Sequence, residues 1–237
     1  MPAYDLPPFQ KRKHSMLKKL FIGLLVGPFA ATANSAFAAS AVYSDRASFI
    51  GAVGATVTDD YSNPGYPSGP DPRPISNAAM SAVLGETDYR TTAFDNQNIV
   101  IYGTYCAGCN GSFELGFTTT SVGNANGVYG VGLDVPYNLY QDAPPAYVAY
   151  VTYGDGANEN ISIPAAFPAD EVFFGLTSSK RIKTIHFGLV DGVATAFGRF
   201  QIDNLTIANQ IPEPETYALV LIGLAVVRVL ARRSKTA

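Results

Sequence analysis

The middle of the chain, Ala39 to Gln210, is constrained most by a feature it lacks, because no long apolar stretch with the period of an α-helix occurs in it. Glycine, proline, asparagine, serine, threonine and tyrosine are plentiful there instead. Such a composition favours short strands joined by turns over long helices. The 172 residues suffice for one domain with a sizeable core. The pattern therefore predicts a single, mainly β domain.

Short runs of β-branched and aromatic residues alternate with turn residues from residue 89 onward. We predict strands at Tyr89–Phe94, Asn98–Tyr102, Ser112–Thr119, Val128–Val135, Tyr147–Tyr153, Glu159–Ile163, Val172–Thr177, Ile182–Leu189 and Gly198–Ile207. Many short antiparallel strands at this spacing indicate a β-sandwich, jelly-roll-like in form.

Two of these strands carry further detail. In Ile182–Leu189, alternation places Ile185, Phe187 and Leu189 on the core face, and Ile182 and His186 on the other face. In the last strand, a shift of facing at Asp203-Asn204 predicts a β-bulge.

Two short helices precede the strands. Ser44-Asp45 can cap a helix over Arg46–Val53, and Ser76 can cap one over Asn77–Leu84, which Gly85 ends. Between them, Ser62–Pro74 contains five prolines and is predicted to be a loop.

The N-terminal end has the pattern of a secretory signal peptide. Met16 is followed by a positive segment with Lys18 and Lys19, then by an apolar run, and then by the small-residue site Ala36-Phe37-Ala38. We expect residues 1–38 to be removed after Ala38, with Met16 as the favoured start and residues 1–15 as the alternative extended segment. The middle domain is then exported.

The C-terminal end, Ile211–Ala237, joins three physically different pieces. Pro212-Glu213-Pro214 must be extended, because each proline fixes φ and restricts the residue before it. An apolar run from Tyr217 to Ala231 follows, interrupted by Arg228, and the end is basic through Arg232, Arg233 and Lys235. As a helix the run would span about 22 Å of a hydrocarbon core of about 30 Å, which suits a temporary stop in the membrane.

In this order, residues 211–235 resemble the PEP-CTERM sorting signal of exported bacterial proteins. The resemblance implies that an exosortase, an integral membrane cysteine peptidase or transpeptidase, reads Pro212, Glu213 and Pro214, so that the chain is its substrate. It implies an inner-membrane intermediate, held by the basic end, and a final place at the cell surface or in the extracellular matrix of a Gram-negative-type bacterium. Exopolysaccharide is the partner that the resemblance suggests. Arg228 departs from the uninterrupted apolar helix of that signal.

The net charge of the middle domain limits the classes of partner that it is expected to bind. It has seven Lys and Arg against sixteen Asp and Glu, a net charge of −9. Binding to nucleic acid needs a clustered basic surface, so nucleic acid is not an expected partner.

Cys106-Ala107-Gly108-Cys109 is compatible with a disulfide, a redox pair or half of a zinc site. An oxidising compartment favours a structural disulfide between Cys106 and Cys109. The reactive cysteine of a redox pair needs a helix N-terminus, whereas Asn110-Gly111 and a strand follow here. Zinc would need two further ligands, and His186 is the only histidine after the signal peptide.

Other candidate chemistry is sparse, and no cofactor is expected. The sequence has no Gly-x-Ser-x-Gly turn that would supply a nucleophilic serine as a partner for His186. This histidine is therefore interpreted as an exposed strand residue. A glycosidase would need two carboxylates from separate strands, a pair that a sequence cannot reveal. Asp203 is a weak candidate for a structural Ca²⁺, with an Asx turn as the favoured alternative.

Tyrosines give the remaining signal, since aromatic rings beside amide and acidic groups suit the binding of sugars. Tyr61, Tyr66, Tyr137 and Tyr140 are the candidate stacking residues, in a set that includes Tyr147, Tyr150 and Tyr153. Packing at sheet edges is the alternative. The sequence as a whole predicts a non-catalytic structural or exopolysaccharide-associated protein, with a secreted glycan hydrolase as the alternative function.

Overall fold

The computed structural model describes residues 40–67, 73–108, 111–136, 147–163, 171–189, 200–212, 221–225 and 228. The elements of the described domain, in chain order, are β1 (Ser40–Tyr43), α1 (Arg46–Gly51), β2 (Thr56–Asp59), α2 (Asn77–Leu84), β3 (Asp88–Thr91), β4 (Asn98–Ile101), β5 (Thr104–Ala107), β6 (Phe113–Gly116), β7 (Val128–Pro136), β8 (Tyr147–Tyr153), β9 (Asn158–Ile163), β10 (Glu171–Leu189) and β11 (Gln201–Ala208). The domain is mainly β, as predicted.

Both predicted helices form, and their caps explain where they begin and end. The Asp45 side chain accepts the N–H of Ser48 at 2.8 Å, and that of Ser76 accepts the N–H of Ala79 at 3.2 Å. Gly85 closes α2 in the left-handed region, with φ of 76°. The first helix is shorter than predicted, since it ends at Gly51 and not at Val53.

The described strands form one antiparallel sheet that is nearly closed on itself. Its longest strand, β10, joins two regions of the sheet. The first half of β10 pairs with β1 and β7, and the second half pairs with β6 and β8. On the far side of β7 lies β11, which also pairs with β2 and β5, while β3 and β9 are paired to β6 and β8.

The prediction of two separate strands in 172–189 was wrong. The strand continues through residues 178–181, since Ser178 still pairs with Ser40 and Ile182 already pairs with Tyr153, and Arg181 between them has a φ of 61°. A bulge follows, since Ile182 pairs with Tyr153 and Thr184 with Thr152. The extra residue turns Ile182 inward, so it is buried beside Ile185 and does not lie on the opposite face as predicted.

The bulge predicted in β11 is confirmed. The pairing of β11 with β7 shifts between Asp203 and Thr206, and Asn204 has a φ of 49°. Ile202 on one side of the shift and Leu205 on the other are therefore both buried. Three strands of four residues each, β1, β2 and β5, were missed, and two of them, β1 and β2, are held by pairing with the distant β10 and β11.

The large core lies inside the curved sheet, where aromatic rings from β5, β6 and β10 and the ring of Phe200, just before β11, contact each other. A second, small cluster lies on the outside, where Phe49 of α1 packs onto the sheet. Gly132 and Gly175 are cross-strand partners, and a Cβ at Gly132 would lie 2.8 Å from the Phe49 ring. Glycine is therefore required for the close approach of α1.

Beyond β11, residues 221–225 and 228 are helical. Within the described ranges, no helix has both the length and the apolar character needed to cross a membrane.

Candidate functional site

A row of polar side chains crosses the outer surface of five neighbouring strands, β3, β6, β10, β8 and β9. The register pairs Arg90 with Glu114, Glu114 with His186, His186 with Tyr150, and Tyr150 with Asn160. These five residues are called the central row. Because cross-strand partners project from the same face of a sheet, the five side chains lie next to one another.

A second row runs parallel to the central row. It consists of Asp88, Gly116, Thr184, Thr152 and Asn158, again joined by strand register. The ten positions together are called the polar face, and every one of them is half-buried or exposed. Of the residues between them on the same strands, Leu115, Ile185 and Val151 are at most 1% exposed. The polar face is therefore the outward side of a sheet whose inward side forms the core.

Two rings occupy the centre of the polar face. The rings of His186 and Tyr150 are 5.7 Å apart and inclined by 28°. The hydroxyl of Tyr150 donates to the backbone oxygen of Leu189, and the Nε2 atom of His186 lies 3.1 Å from the hydroxyl of Thr92. Both rings are thereby held in place. Burial lowers the pKa of His186, and the nearby Glu114 partly opposes that effect. The imidazole is thus neutral at pH 7.

Charge is unevenly distributed over the polar face. At the β3 end, Arg90 Nη1 lies 4.0 Å from Glu114 Oε1. At the β9 end the side chains are uncharged, and the hydroxyl of Thr152 donates to Oδ1 of Asn158 at 2.9 Å. That bond orients the amide and leaves its NH₂ group as a donor. This end presents amide, hydroxyl and aromatic groups.

A different polar cluster surrounds Arg46 at the start of α1. Its guanidinium donates to Asp134 Oδ2 at 2.7 Å, to the hydroxyl of Thr206 at 2.9 Å and to the backbone oxygen of Asn204 at 3.1 Å. It also lies 4.9 Å from the centre of the Phe173 ring. The hydrogen bond from Arg46 to Asn204 depends on the bulge in β11, which turns the backbone oxygen of Asn204 toward Arg46.

Two further carboxyl groups lie near this ion pair. Burial raises the pKa of Asp203 and of Glu171, and the charge of Asp134 raises both further, while Arg46 opposes the effect. Asp203 is the direct cross-strand partner of Asp134. The carboxyl groups therefore differ in environment, since Asp134 is ion-paired with Arg46 whereas Asp203 has no ion pair within the described part of the chain.

The weak calcium candidate falls in this cluster. Oδ1 of Asp203 accepts a hydrogen bond from the N–H of the next residue, Asn204, at 2.6 Å. The carboxylate of Asp134 forms its ion pair with Arg46. In the parts of the chain that the structure describes, no three His, Cys, Asp or Glu residues are arranged to hold a metal ion. The described surroundings of Asp203 thus favour its role in the bulge.

Tyr61 and Tyr66 are not sugar-stacking residues, so this prediction was wrong. Their side chains are only 1% and 3% exposed, because the chain after β2 turns inward at Tyr61, with φ of 53°. The hydroxyls of Tyr66 and Tyr89 both donate to Oδ2 of Asp59, at 2.5 and 3.0 Å, and the hydroxyl of Tyr89 lies 3.2 Å from that of Tyr61. These four residues are called the buried tyrosine cluster.

The acid at the centre of this cluster is itself shielded from water. Asp59 is 6% exposed, and burial raises its pKa despite the hydrogen bonds that it accepts. A sugar could not reach it, so the cluster is structural. Among the wider set of tyrosines, Tyr147 and Tyr153 are also buried, whereas Tyr150 lies on the polar face.

Other predicted positions divide between those that the structure describes and those that it does not. Cys106 is buried in β5 and takes part in a disulfide, and Pro212 is exposed. The remaining predicted residues lie outside the described ranges: Ala36, Ala38, Cys109, Tyr137, Tyr140, Glu213, Pro214, Arg232, Arg233 and Lys235.

The polar face was missed as a unit by the sequence analysis. A signal for it existed, since Asn158, Asn160 and Ser162 alternate with Glu159, Ile161 and Ile163 in β9. Alternation assigns residues to a face but gives no register between strands. The outward facing of His186 could therefore be predicted, but its cross-strand neighbours could not.

Comparisons of the chain with protein-family models, with curated proteins and with solved structures find no match.

Proposed function

We propose that this chain is an exported protein that an exosortase sorts to the cell surface or extracellular matrix, where it acts as a non-catalytic, exopolysaccharide-associated component. The signal peptide ending at Ala38 and the resemblance of residues 211–235 to the PEP-CTERM signal support the proposal. The inner membrane holds the chain only until the signal is read. We also propose that the two sheet regions joined by β10 pack as a jelly-roll-like sandwich.

The observation that carries the proposal is where the folded domain ends. The last backbone hydrogen bonds of the domain tie Asn209 to Ala55, at 3.0 Å, and to Gly54, at 2.9 Å. Ile211 is 43% exposed, and Pro212 is exposed as well. The Pro-Glu-Pro motif thus begins at Pro212, three residues after Asn209. A membrane peptidase needs an accessible substrate, and the exposed Pro212 lies beyond the end of β11, so cleavage there would not require β11 to unfold.

The test is processing of the full chain in a bacterium that has an exosortase. We expect the wild-type chain to leave the membrane fraction with a mass that indicates cleavage after the signal peptide and near Pro212. Replacing Pro212 and Pro214 together by Ala should leave an uncut form in the inner membrane.

The matched control is the double variant Pro64→Ala and Pro67→Ala in the loop after β2, which should be processed like wild type. Equal processing of the motif variant and the control would contradict the proposal. So would an intact full-length chain in the cytoplasm.

A hydrolase is the second candidate, and the carboxyl groups around Arg46 favour it. Asp203 has a raised pKa and faces the ion-paired Asp134 across neighbouring strands, and such a difference suits a general acid beside an ionised carboxylate. A hydrolase would release reducing ends from exopolysaccharide, and Asp203→Asn would abolish the release. We expect no release from the wild-type protein.

A further inference from the structure

We propose that the polar face binds an uncharged polysaccharide chain that lies across the five strands, along the central row. The inference deepens the proposed function and rests on it in one respect, because the protein meets exopolysaccharide only after export. The binding itself is a property of the folded domain and can be measured separately from sorting.

The dimensions of the polar face suit a polymer. Neighbouring strands lie about 4.8 Å apart, so the central row measures roughly 19 Å from β3 to β9. The side chains follow one another along this line by strand register, from Arg90 at one end to Asn160 at the other. Small molecules are usually enclosed in a concave pocket. An open row of this length offers successive contacts to a chain of sugar units.

The chemistry of the row suits sugar rings. A sugar presents C–H groups on its ring faces and hydroxyl groups around its edge. The half-exposed rings of Tyr150 and His186 are stacked at the centre and provide flat surfaces for the C–H groups. The exposed amides of Asn158 and Asn160 can donate hydrogen bonds to the hydroxyl groups of the polysaccharide and accept hydrogen bonds from them.

The charges indicate that the chain is uncharged. The domain has a net charge of −9, and the polar face itself carries Asp88 and Glu114 against Arg90. A polyanion such as nucleic acid or a uronic acid polymer would be repelled. At the β8 and β9 end there is no charge on either row to attract a polycation.

An ordinary solvent-facing edge would look different. Edge strands are usually protected by charged side chains, Lys above all. On β9, which among the described strands pairs only with β8, the outward residues are Asn158, Asn160 and Ser162, while the half-buried Glu159 accepts hydrogen bonds from Ser40 and Tyr153. The nearest lysine along β10 is Lys183, which lies in the bulge. Uncharged hydrogen-bonding groups on an edge are better explained by a ligand than by solubility.

The experiment uses the full chain, purified in a detergent without a sugar headgroup. Affinity gel electrophoresis with laminarin, dextran and hydroxyethylcellulose tests uncharged chains, and alginate tests a polyanion. We expect retardation by at least one uncharged probe and none by alginate. The double variant Asn158→Asp and Asn160→Asp should bind about tenfold more weakly, because two NH₂ donors are lost and two charges are added.

The controls separate loss of the surface from loss of the fold. Asn126→Asp makes the same exchange at an exposed residue in the turn before β7, outside the polar face, and should leave affinity unchanged. Tyr150→Ala should also lower affinity about tenfold, whereas Tyr150→Phe keeps the ring and should stay within about twofold. Circular dichroism of each variant verifies folding, and the exposed Asn158 and Asn160 keep the test usable if Tyr150→Ala unfolds.

Binding to none of the three uncharged probes would overturn the proposal. Retardation by alginate alone would overturn it as well. Binding that the Asp variants weaken no more than Asn126→Asp does would also overturn it. None of these outcomes affects the proposed sorting, which depends on processing of the tail. Conversely, a chain that stays in the cytoplasm would defeat the proposed function and leave the measured binding intact.

Discussion

The buried tyrosine cluster and the polar face use the same kinds of residue in opposite ways. In the cluster, Asp59 is surrounded by tyrosines, and the hydroxyls of Tyr66 and Tyr89 bond to its carboxyl group out of contact with water. On the polar face, Tyr150 packs beside His186 with its ring half-exposed, and the neighbouring Asn160 is open to solvent. In the cluster the hydroxyls are bonded to groups of the fold, whereas on the polar face exposed amides such as that of Asn160 are open to water, and the proposed polysaccharide binding would use them.

The contrast teaches that the cost of a missing hydrogen bond depends on whether water can replace the lost partner. A buried hydroxyl without a partner costs about 1 to 3 kcal/mol, so the interior must satisfy each one. A surface group can exchange water for a ligand at little cost. The same substitution should therefore affect stability in one region and binding in the other.

The largest effect should come from the centre of the buried tyrosine cluster. Asp59→Ala removes the acceptor of two buried hydroxyls, so we expect the free energy of unfolding to fall by about 2 to 4 kcal/mol. Urea denaturation measures it. Asp60→Ala, at the exposed neighbour, should cost no more than about 0.5 kcal/mol. Similar losses for the two variants would show that the cluster is not structural.

Removing a single hydroxyl compares the two regions directly. Tyr66→Phe deletes one buried hydrogen bond to Asp59 and should lower the free energy of unfolding by about 1 to 1.5 kcal/mol. Tyr150→Phe deletes a half-exposed bond to the backbone of Leu189, which water can replace, and should cost less than about 0.5 kcal/mol. Equal losses in urea titrations would break the comparison.

The pH dependence of stability should have one sign at Asp59. Its pKa in the folded state is raised by burial above the usual value of 3.8. As pH rises through that value the unfolded chain releases its proton first, so the stability contributed by Asp59 is lost toward higher pH. In unfolding titrations from pH 3 to 7, the stability of the wild type relative to Asp59→Asn should decline as pH rises, because carboxyl groups with lowered pKa values, such as Asp45 and Asp60, act alike in both proteins. An identical pH profile in the variant would be inconsistent with the raised pKa.

The sign should be opposite at His186. Its pKa in the folded state is lowered by burial below the usual value of 6.5. As pH falls below 6.5 the unfolded chain takes up a proton first, so His186 makes the fold less stable toward acid. His186→Gln should reduce the loss of stability between pH 7 and 5. The imidazole signals of the wild-type protein in NMR titration should report a pKa under 6.5, and a value above it would contradict the burial argument.

The smallest effect is expected at the charged end of the central row. The Arg90–Glu114 pair is 4.0 Å long, and the Arg90 side chain is 73% exposed. Exposed pairs of this kind contribute less than about 1 kcal/mol. A double-mutant cycle of Arg90→Ala and Glu114→Ala should give a coupling energy below about 0.5 kcal/mol. A larger coupling would give this end a structural role like that of the buried cluster.

Much of the local structure could be predicted from the sequence, because its causes lie within a few residues. Asp45 and Ser76 cap the two helices that were expected to start after them. The shift of register in β11 follows from the change of facing at Asp203-Asn204. The continuous β10 and the inward turn of Ile182 could not be predicted, since pairing with β8 on a distant part of the chain sets both.

The candidate site divides in the same way. Outward facing of His186 was predictable from alternation, but its neighbours were not, because register between strands depends on the whole sheet. The tyrosines misled for the same reason. Tyr61 and Tyr66 stand in a loop-like sequence, and only the fold shows that Asp59 draws them inward.

The sequence by itself determined the β character of the middle domain, its helix caps, its acidity and the order of hydrophobic and polar pieces at its two ends. These properties depend on residue type and on spacing along the chain. Only the tertiary structure decided which tyrosines are enclosed, which carboxyl groups meet, and which side chains share a row across five strands. Those contacts join residues that are far apart in the sequence, such as Asp134 with Asp203 and Glu114 with His186, and the free energy that selects them comes from burying the whole sheet at once.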